Sequence, residues 1–172
     1  ISVGFLRLVL SHHFTFFINS LAHIWGSQPY TDENTARDNG FLAFLTYGEG
    51  YHNYHHIFEY DYRNGIRWWQ FDPTKWLIKS CNWVGLTRNL KTVSEDKIAK
   101  AKAQMQLKRA QAKIKLMTLP DPEQVLAKMQ QEYDELVSRM QAYYGLQKQL
   151  LAQKRAGLQQ KTEQFKQSVS DF

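Results

Sequence analysis

The sequence of 172 residues predicts an all-α chain, and three observations support this fold class. Residues 8–25 form a largely apolar stretch without a formal charge, as in a long buried helix. The segment from Ser94 to residue 119 contains neither glycine nor proline. Apolar residues beyond Pro122 recur at a heptad-like spacing. All three patterns are typical of helices.

The first segment, residues 8–25, would form about 27 Å of helix, just enough to cross the hydrocarbon core of a bilayer. Its last residue, Trp25, suits the head-group interface. The segment is too polar for a lone lipid-facing helix, so it should face other helices or a metal site. A core helix of a soluble protein explains the pattern equally well. The polar members are Ser11, His12, His13, Thr15, Asn19 and His23.

Histidines are concentrated in the short segment 48–56, where His52, His55 and His56 have the spacing His-x-x-His-His. Neutral imidazole is the commonest protein ligand for redox-capable first-row metals, and rings this close on a helix or tight turn can converge on one point. Upstream, Asn19 and His23 lie four residues apart and therefore on one face of a helix. The spacing predicts a metal site, with a histidine-rich surface loop as the alternative.

The motifs NSLAH at residues 19–23 and GEGYHNYHH at residues 48–56, followed by IFEYDYR, closely resemble the membrane-bound fatty acyl desaturases of the stearoyl-CoA, delta-9 type. The resemblance covers residues 7–93, and the stretch RWWQFDPTKW is similar to the bacterial branch of that family. It implies that residues 1–25 hold the last transmembrane helix of a helical bundle. Residues 26–92 would then form a cytosolic, histidine-rich, metal-binding cap.

The resemblance also implies a non-haem di-iron centre with an almost all-histidine ligand sphere. Asn19 would approach one iron through a bound water. Glu49 is expected to orient a ring N–H group, although a solvated carboxylate is the alternative. The implied metal ligands in this chain are His23, His52, His55 and His56.

Two other histidines and the single cysteine lie outside this predicted site. His12 and His13 match no ligand of the family, and a histidine inside a helical bundle is more often a hydrogen-bonded structural residue. Cys81 cannot form an internal disulfide and suits a reducing compartment. We assign no chemistry to these three residues.

The function that the resemblance implies is an oxygen-dependent oxidoreductase that introduces a cis double bond into a saturated long-chain acyl-CoA or other acyl thioester. Hydrogen removal from an unactivated methylene requires an oxygen-activated metal, because no amino-acid side chain can do it. The expected partners are O2, membrane lipids and a small electron-transfer protein such as a ferredoxin, a rubredoxin or a b-type cytochrome. The expected location is the bacterial inner membrane, with the active site and the tail in the cytosol.

Two alternatives stay open. The first is a related membrane di-iron hydroxylase or an acyl-lipid desaturase, because the same ligands can serve either reaction. The second is a non-catalytic coiled-coil interaction protein with a structural zinc site. The family also carries two earlier histidine boxes without counterparts here, so the chain is expected to be a C-terminal fragment that is inactive by itself and binds two irons weakly or not at all.

Shorter elements complete the expected cap. Residues 26–40 form a polar connection, and residues 41–47 form a short apolar helix. Residues 73–86 form an interfacial amphipathic helix with Pro73 in its first turn.

The net charge of +6 lies in residues 91–119, which hold eight Lys/Arg against two Asp/Glu. The basic helix that we predict over residues 93–119 contacts anionic lipid or presents a solvated face. Nucleic acid is not an expected partner, because no aromatic residues are interleaved with the charges.

The tail, residues 120–172, should begin where Pro120 and Pro122 interrupt the basic helix. Its apolar positions have successive spacings of seven, four, three and seven residues. A helical hairpin and an oligomerising coiled coil would both produce this seam. The seam residues are Met129, Leu136, Met140, Tyr143 and Leu150.

Overall fold

The computed structural model describes residues 2–117 and 120–170, with the backbone alone at residues 168–170. The described residues form helices and no strand, which confirms the prediction of a mostly helical chain. The ends of three predicted segments, at residue 1, residues 118–119 and residues 171–172, lie outside the described residues. In chain order the helices are α1 Ser2–Asn19, α2 Leu21–Ile24, α3 Gly40–Leu45, α4 His52–Ile57, α5 Pro73–Trp83, α6 Glu95–Lys115 and α7 Pro122–Ser170.

The first apolar segment is divided into two helices rather than one. Helix α1 ends at Asn19, and the single turn α2 follows Ser20, whose hydroxyl donates to the carbonyl of Phe16 at 2.7 Å. A hydroxyl bonded to a carbonyl four residues earlier bends a helix. None of the described helices combines the length and the apolar character that a membrane span needs.

The chain divides into two compact units, Ile1–Leu119 and Pro120–Phe172. The core of the first unit joins the loop after α2 to α4 and to the start of α6, and its buried members are Tyr30, Tyr54, Phe58, Val93 and Ile98. The apolar side of the basic helix therefore packs against the histidine-rich cap.

The short helices of the cap begin at side-chain caps, as their sequences favour. Asn39 accepts hydrogen bonds from the backbone N–H groups of Phe41 and Leu42 at the start of α3. Asp72 does the same for Lys75 at the start of α5, where Pro73 occupies the first turn. The predicted helices over 41–47 and 73–86 thus form as Gly40–Leu45 and Pro73–Trp83.

A close backbone approach after α3 directs the chain toward the histidines. A Cβ atom on Gly50 would lie 2.1 Å from the backbone nitrogen of Ala43, so only glycine fits there. The backbone N–H of Asn39 donates to the carbonyl of Gly50 at 2.8 Å. This contact fixes the start of α4 against α3.

The second unit consists of helix α7, which runs without interruption through the whole predicted seam. None of its side chains over residues 122–167 is buried. The described part of the tail contains no turn, so a hairpin does not form within it. A coiled coil remains a prediction for this segment.

Candidate metal centre

Three histidines from two separate segments converge at the junction of α2 and α4. His52 and His56 lie one helical turn apart on α4 and share a face, and His23 comes from α2. The Nε2 atom of His52 lies 3.2 Å from that of His23 and 3.1 Å from that of His56. One ligand atom from each of these residues lies within 4.8 Å of the others. The three rings can therefore share one ion.

The nitrogen spacing and the ligand type both fit a transition-metal ion. Bonds from such an ion to imidazole are about 2.0–2.1 Å long, so two nitrogens on one ion at about 90–110° lie about 2.8–3.4 Å apart. The observed spacings of 3.1 and 3.2 Å fall in that range. Imidazole suits iron, copper, nickel and zinc, so the donor set alone leaves the metal open.

The environment of His52 and His56 favours the neutral ring, which is the form that binds a metal. Burial, the largest cause, and the neighbouring rings of His56, His23 and His55 together lower the pKa of His52 to about 4. Burial and the adjacent His55 and His23 rings also lower the pKa of His56. Removing protons from the site therefore costs little at neutral pH.

The loop between α2 and α3 contacts both segments that supply the rings. The N–H of Arg37 donates to the carbonyl of Ala22 at 2.7 Å, next to His23. The Oγ1 of Thr35 lies 2.9 Å from the Nδ1 of His23. One segment of the loop is thus fixed to the helix that carries the first ligand.

Asn53 fixes the same loop to α4 and is completely buried. Its Oδ1 accepts from the backbone N–H groups of Tyr30 and Thr31 at 3.0 and 3.3 Å. Its Nδ2 donates to the carbonyls of Thr31 and Ala36 at 2.8 and 2.9 Å. Since Asn53 follows His52 directly, these bonds set the distance between the two ligand segments.

Three other predicted site residues lie outside the group of three nitrogens. The ring of His55 lies beside the cluster, with its centroid 6.1 Å from that of His52. The Asn19 amide donates to the carbonyl of Thr15 at 3.5 Å. The Glu49 carboxylate accepts from Asn64 at 3.0 Å. The roles assigned to His55, Asn19 and Glu49 stay predictions.

Buried acidic residues support the cap through contacts that no pattern in the sequence predicted. Asp61 accepts hydrogen bonds from the Tyr54 hydroxyl at 2.7 Å, the Val93 N–H at 2.8 Å and the Arg63 guanidinium. Burial alone would raise the pKa of Asp61, but these bonds outweigh it and hold the pKa below its usual value. Asp61 thereby ties α4 to the segment that leads into α6.

A second acidic group, Asp72, connects the loop after α4 to α5. Its Oδ2 accepts from the N–H groups of Asn64 and Gly65 at 2.9 and 3.0 Å. The buried Lys75 ammonium donates to the carbonyls of Gly65 and Arg67 at 2.6 and 2.9 Å. The sequence predicted the start of α5 from Pro73, but it predicted neither the Asp72 cap nor these longer contacts.

Comparison with known proteins identifies the family of the chain. The model of the fatty acid desaturase family matches residues 2–89, slightly more than half of the chain. A probable acyl-CoA desaturase from Schizosaccharomyces pombe is 50% identical over 105 residues, which are 61% of this chain and 22% of that protein. Acyl-CoA desaturase 1 from Saccharomyces cerevisiae is 48% identical over 113 residues, 66% of this chain and 22% of that protein.

A bacterial relative matches less well. The sn-1 stearoyl-lipid 9-desaturase of Synechocystis is 39% identical over 95 residues, 55% of this chain and 30% of that protein. The fungal matches are more similar, so these relatives give no support to the predicted bacterial branch. The chain spans less than a third of the length of each of these curated relatives. Its match to the family model and its similarity to the acyl-CoA desaturases show that the chain belongs to the fatty acid desaturase family.

Proposed function

We propose that this chain supplies the last histidine ligands of an oxygen-dependent acyl-CoA desaturase, which introduces a cis double bond into a saturated long-chain acyl thioester. The observation that carries the proposal is the convergence of three Nε2 atoms from His23, His52 and His56. Family membership makes iron the expected metal. The delta-9 position of the double bond belongs to this proposal.

The full-length protein would hold two irons. The ligands from this chain would be His23, His52, His55 and His56, and Asn19 would act through a bound water. When bound, iron supplies the oxygen activation that hydrogen removal from a methylene requires. The chain contributes a neutral His52 ring, because burial and the neighbouring histidine rings lower its pKa to about 4. It also contributes orientation, since the loop bonds of Asn53 and Thr35 restrict the ligand segments.

The substrate and electron partners follow from the same proposal. The relatives are named acyl-CoA desaturases, so an acyl-CoA is the substrate class that we propose. The second substrate would be O2, and a small electron-transfer protein would supply electrons. We further propose a membrane location with α1 and α2 as part of the last membrane-embedded segment and with the cap in the cytosol. The apolar exposed side chains of α1 support this location, among them Val3, Phe5, Leu6 and Phe16.

The test uses the full-length protein that contains this chain, expressed in a desaturase-deficient host. We expect two irons per chain by metal analysis and a cis-monounsaturated product by mass spectrometry of the host lipids. His52→Ala should abolish the product and lower the iron content, because it removes the central ligand. His13→Ala is the matched control, since its ring bonds to its own helix at the Val9 carbonyl. An unchanged product from His52→Ala would overturn the proposal.

A second candidate is an acyl-lipid desaturase. It is favoured by the Synechocystis relative, whose name specifies a stearoyl-lipid substrate. Membranes containing the full-length protein should be given labelled stearoyl-CoA or labelled stearoyl phospholipid, with acyl exchange between the pools measured. Direct desaturation of the phospholipid, without passage through the CoA pool, would favour this second candidate.

The remaining alternatives give other outcomes in the same experiments. A hydroxylated product instead of an alkene would indicate a related hydroxylase. One zinc per chain with neither iron nor product would indicate a structural metal site in a non-catalytic interaction protein.

A further inference from the structure

We propose that Thr35 is a positioning residue for the metal centre: its hydroxyl accepts the proton on Nδ1 of His23 and thereby keeps Nε2 free to bind the metal. The two atoms Thr35 Oγ1 and His23 Nδ1 lie 2.9 Å apart. This role rests on the proposed iron site, and it concerns one of the ligands that α2 and α4 bring together.

The need for such a partner follows from the chemistry of imidazole. A neutral ring carries one proton, and only the nitrogen without it can bind a metal. Nε2 of His23 lies 3.2 Å from Nε2 of His52. When both atoms bind one metal, neither can carry a proton, so the proton of His23 then belongs on Nδ1. A hydroxyl can donate as well as accept. With Nε2 bound to the metal, the Thr35 oxygen accepts from Nδ1–H, which stabilises this tautomer and fixes the rotation of the ring.

Thr35 is fixed in place by its neighbours on both sides. The N–H of Ala36 donates to the Asn34 side chain at 3.0 Å, and the carbonyl of Ala36 accepts from Asn53 at 2.9 Å. The N–H of Arg37 donates to the carbonyl of Ala22, which precedes His23. The backbone that presents the hydroxyl is therefore attached to α4 and to α2 at once.

Two further observations distinguish a positioning role from a packing role. The Thr35 side chain is solvent-exposed, so it fills no space in the core and its removal opens no cavity. By contrast, the Nδ1 atom of the buried His52 has no hydrogen-bond partner among the described residues. His23 thus has a hydrogen-bond partner at its outer nitrogen, whereas the buried His52 has none among the described residues.

The experiment compares the wild-type chain with Thr35→Val and Thr35→Ser. The tautomer of His23 is measured without metal by 15N NMR of the imidazole nitrogens. The affinity for Co²⁺, added as the metal alone, is measured by its absorption spectrum. Thr35→Val should convert His23 from the Nδ1-protonated tautomer to a mixture of the Nδ1- and Nε2-protonated tautomers. Binding of Co²⁺ should weaken by about 10–100-fold. Thr35→Ser should restore both properties, because it keeps the hydroxyl.

Thr31→Val is the matched control, since the Thr31 hydroxyl oxygen accepts from the Glu33 N–H in the same loop at 3.1 Å. Thr31→Val should leave the tautomer of His23 unchanged. The role of Thr35 is overturned if Thr35→Val leaves the tautomer unchanged, or if Thr31→Val changes it equally. Failure of the desaturase proposal is seen separately, as absence of iron and product in the full-length protein while the wild-type tautomer persists.

Discussion

The cap at residues 26–92 and helix α7 show opposite ways of stabilising a helical segment. The cap buries polar side chains and provides most of them with hydrogen-bond partners; its buried polar members are Thr31, Thr46, His52, Asn53, Asp61, Asp72 and Lys75. Helix α7 has no buried side chain over residues 122–167 and is supported by local contacts such as the Glu135–Arg139 pair. Positions in the cap are thus determined by distant partners, whereas those in α7 are determined by their neighbours on the helix.

This difference matters for function because a metal site needs ligands held within a narrow range of geometry. Buried polar bonds are costly to leave unmade, so they permit few arrangements of the chain. Exposed helix surfaces tolerate many side chains. The same substitution should therefore have effects of different size, and even of opposite sign, in the two regions.

The largest effect should come from Gly50→Ala in the cap. The new methyl would lie 2.1 Å from the nitrogen and 2.6 Å from the Cα of Ala43, which are backbone atoms of α3. We expect a loss of more than about 4 kcal/mol in the free energy of unfolding, because neither backbone can move without breaking α3 or α4. Urea unfolding of the 172-residue chain, followed by tryptophan fluorescence, measures it.

Gly40→Ala is the control for that substitution, since Gly40 begins the same helix α3 and a Cβ atom there would meet nothing within 4 Å. Its effect should stay below about 1 kcal/mol. Equal unfolding midpoints for Gly50→Ala and Gly40→Ala would contradict the close approach of α3 and residue 50.

The next effect should come from Asn53→Ala. The substitution removes the partners of two backbone N–H groups, at Tyr30 and Thr31, and of two carbonyls, at Thr31 and Ala36. Buried groups left without partners destabilise by about 1–3 kcal/mol each and do not add fully, so we expect a total loss of about 3 kcal/mol. Amide hydrogen exchange should accelerate over residues 30–36.

Asn34→Ala is the comparison within the same loop, because its side chain accepts one bond, from Ala36. Its cost should be about 1 kcal/mol. If the two asparagine variants are equally stable, then Asn53 does not hold the loop.

These contacts also show which features the sequence could reveal. Local signals identified the start of α5 and the start of α7, because Pro73 and Pro122 act on their own segments. The histidine spacing identified His52 and His56, which a helix places on one face. Such features depend on neighbours within one turn.

Other features depend on residues far apart in sequence, and no local pattern specifies them. The bonds of Asn53 reach back 17 to 23 residues, and that of Asp61 to the Val93 N–H reaches forward 32. The predicted continuous first helix was also wrong at Ser20, where the side chain competes with the helical backbone. His55 shows the limit of spacing alone, since its ring lies beside the three that meet.

A pH-dependent effect should distinguish the buried Asp61 from exposed carboxylates. Hydrogen bonds hold the pKa of Asp61 below the ordinary 3.8, despite burial. The ionised carboxylate therefore contributes to the free energy of unfolding above about pH 4, and this contribution is lost as the pH falls through the lowered pKa. Asp61→Asn should cost about 2 kcal/mol at pH 7. The difference from wild type should shrink below pH 4, as measured by urea unfolding across pH.

Glu135→Gln in α7 is the matched control, because Glu135 pairs with Arg139 on an exposed helix surface. It should change stability by less than about 0.5 kcal/mol. A pH-independent difference between Asp61→Asn and wild type would show that the ionised carboxylate is not what ties α4 to Val93.

The smallest effect, with the opposite sign, should come from Gly145→Ala in α7. A Cβ atom there meets nothing within 4 Å, and the residue lies inside a continuous helix. Alanine restricts the unfolded chain and favours the helix, so we expect a gain of about 0.5–1 kcal/mol, seen as slower amide exchange around residue 145. Counting from Met140 and Tyr143 in the predicted seam, residue 145 falls on the outer face, so pairing of α7 with another helix should leave the gain intact. A loss of stability instead would mean that a partner approaches α7 closely on that face. Gly145 and Gly50 would then both be positions where a close contact excludes a Cβ atom.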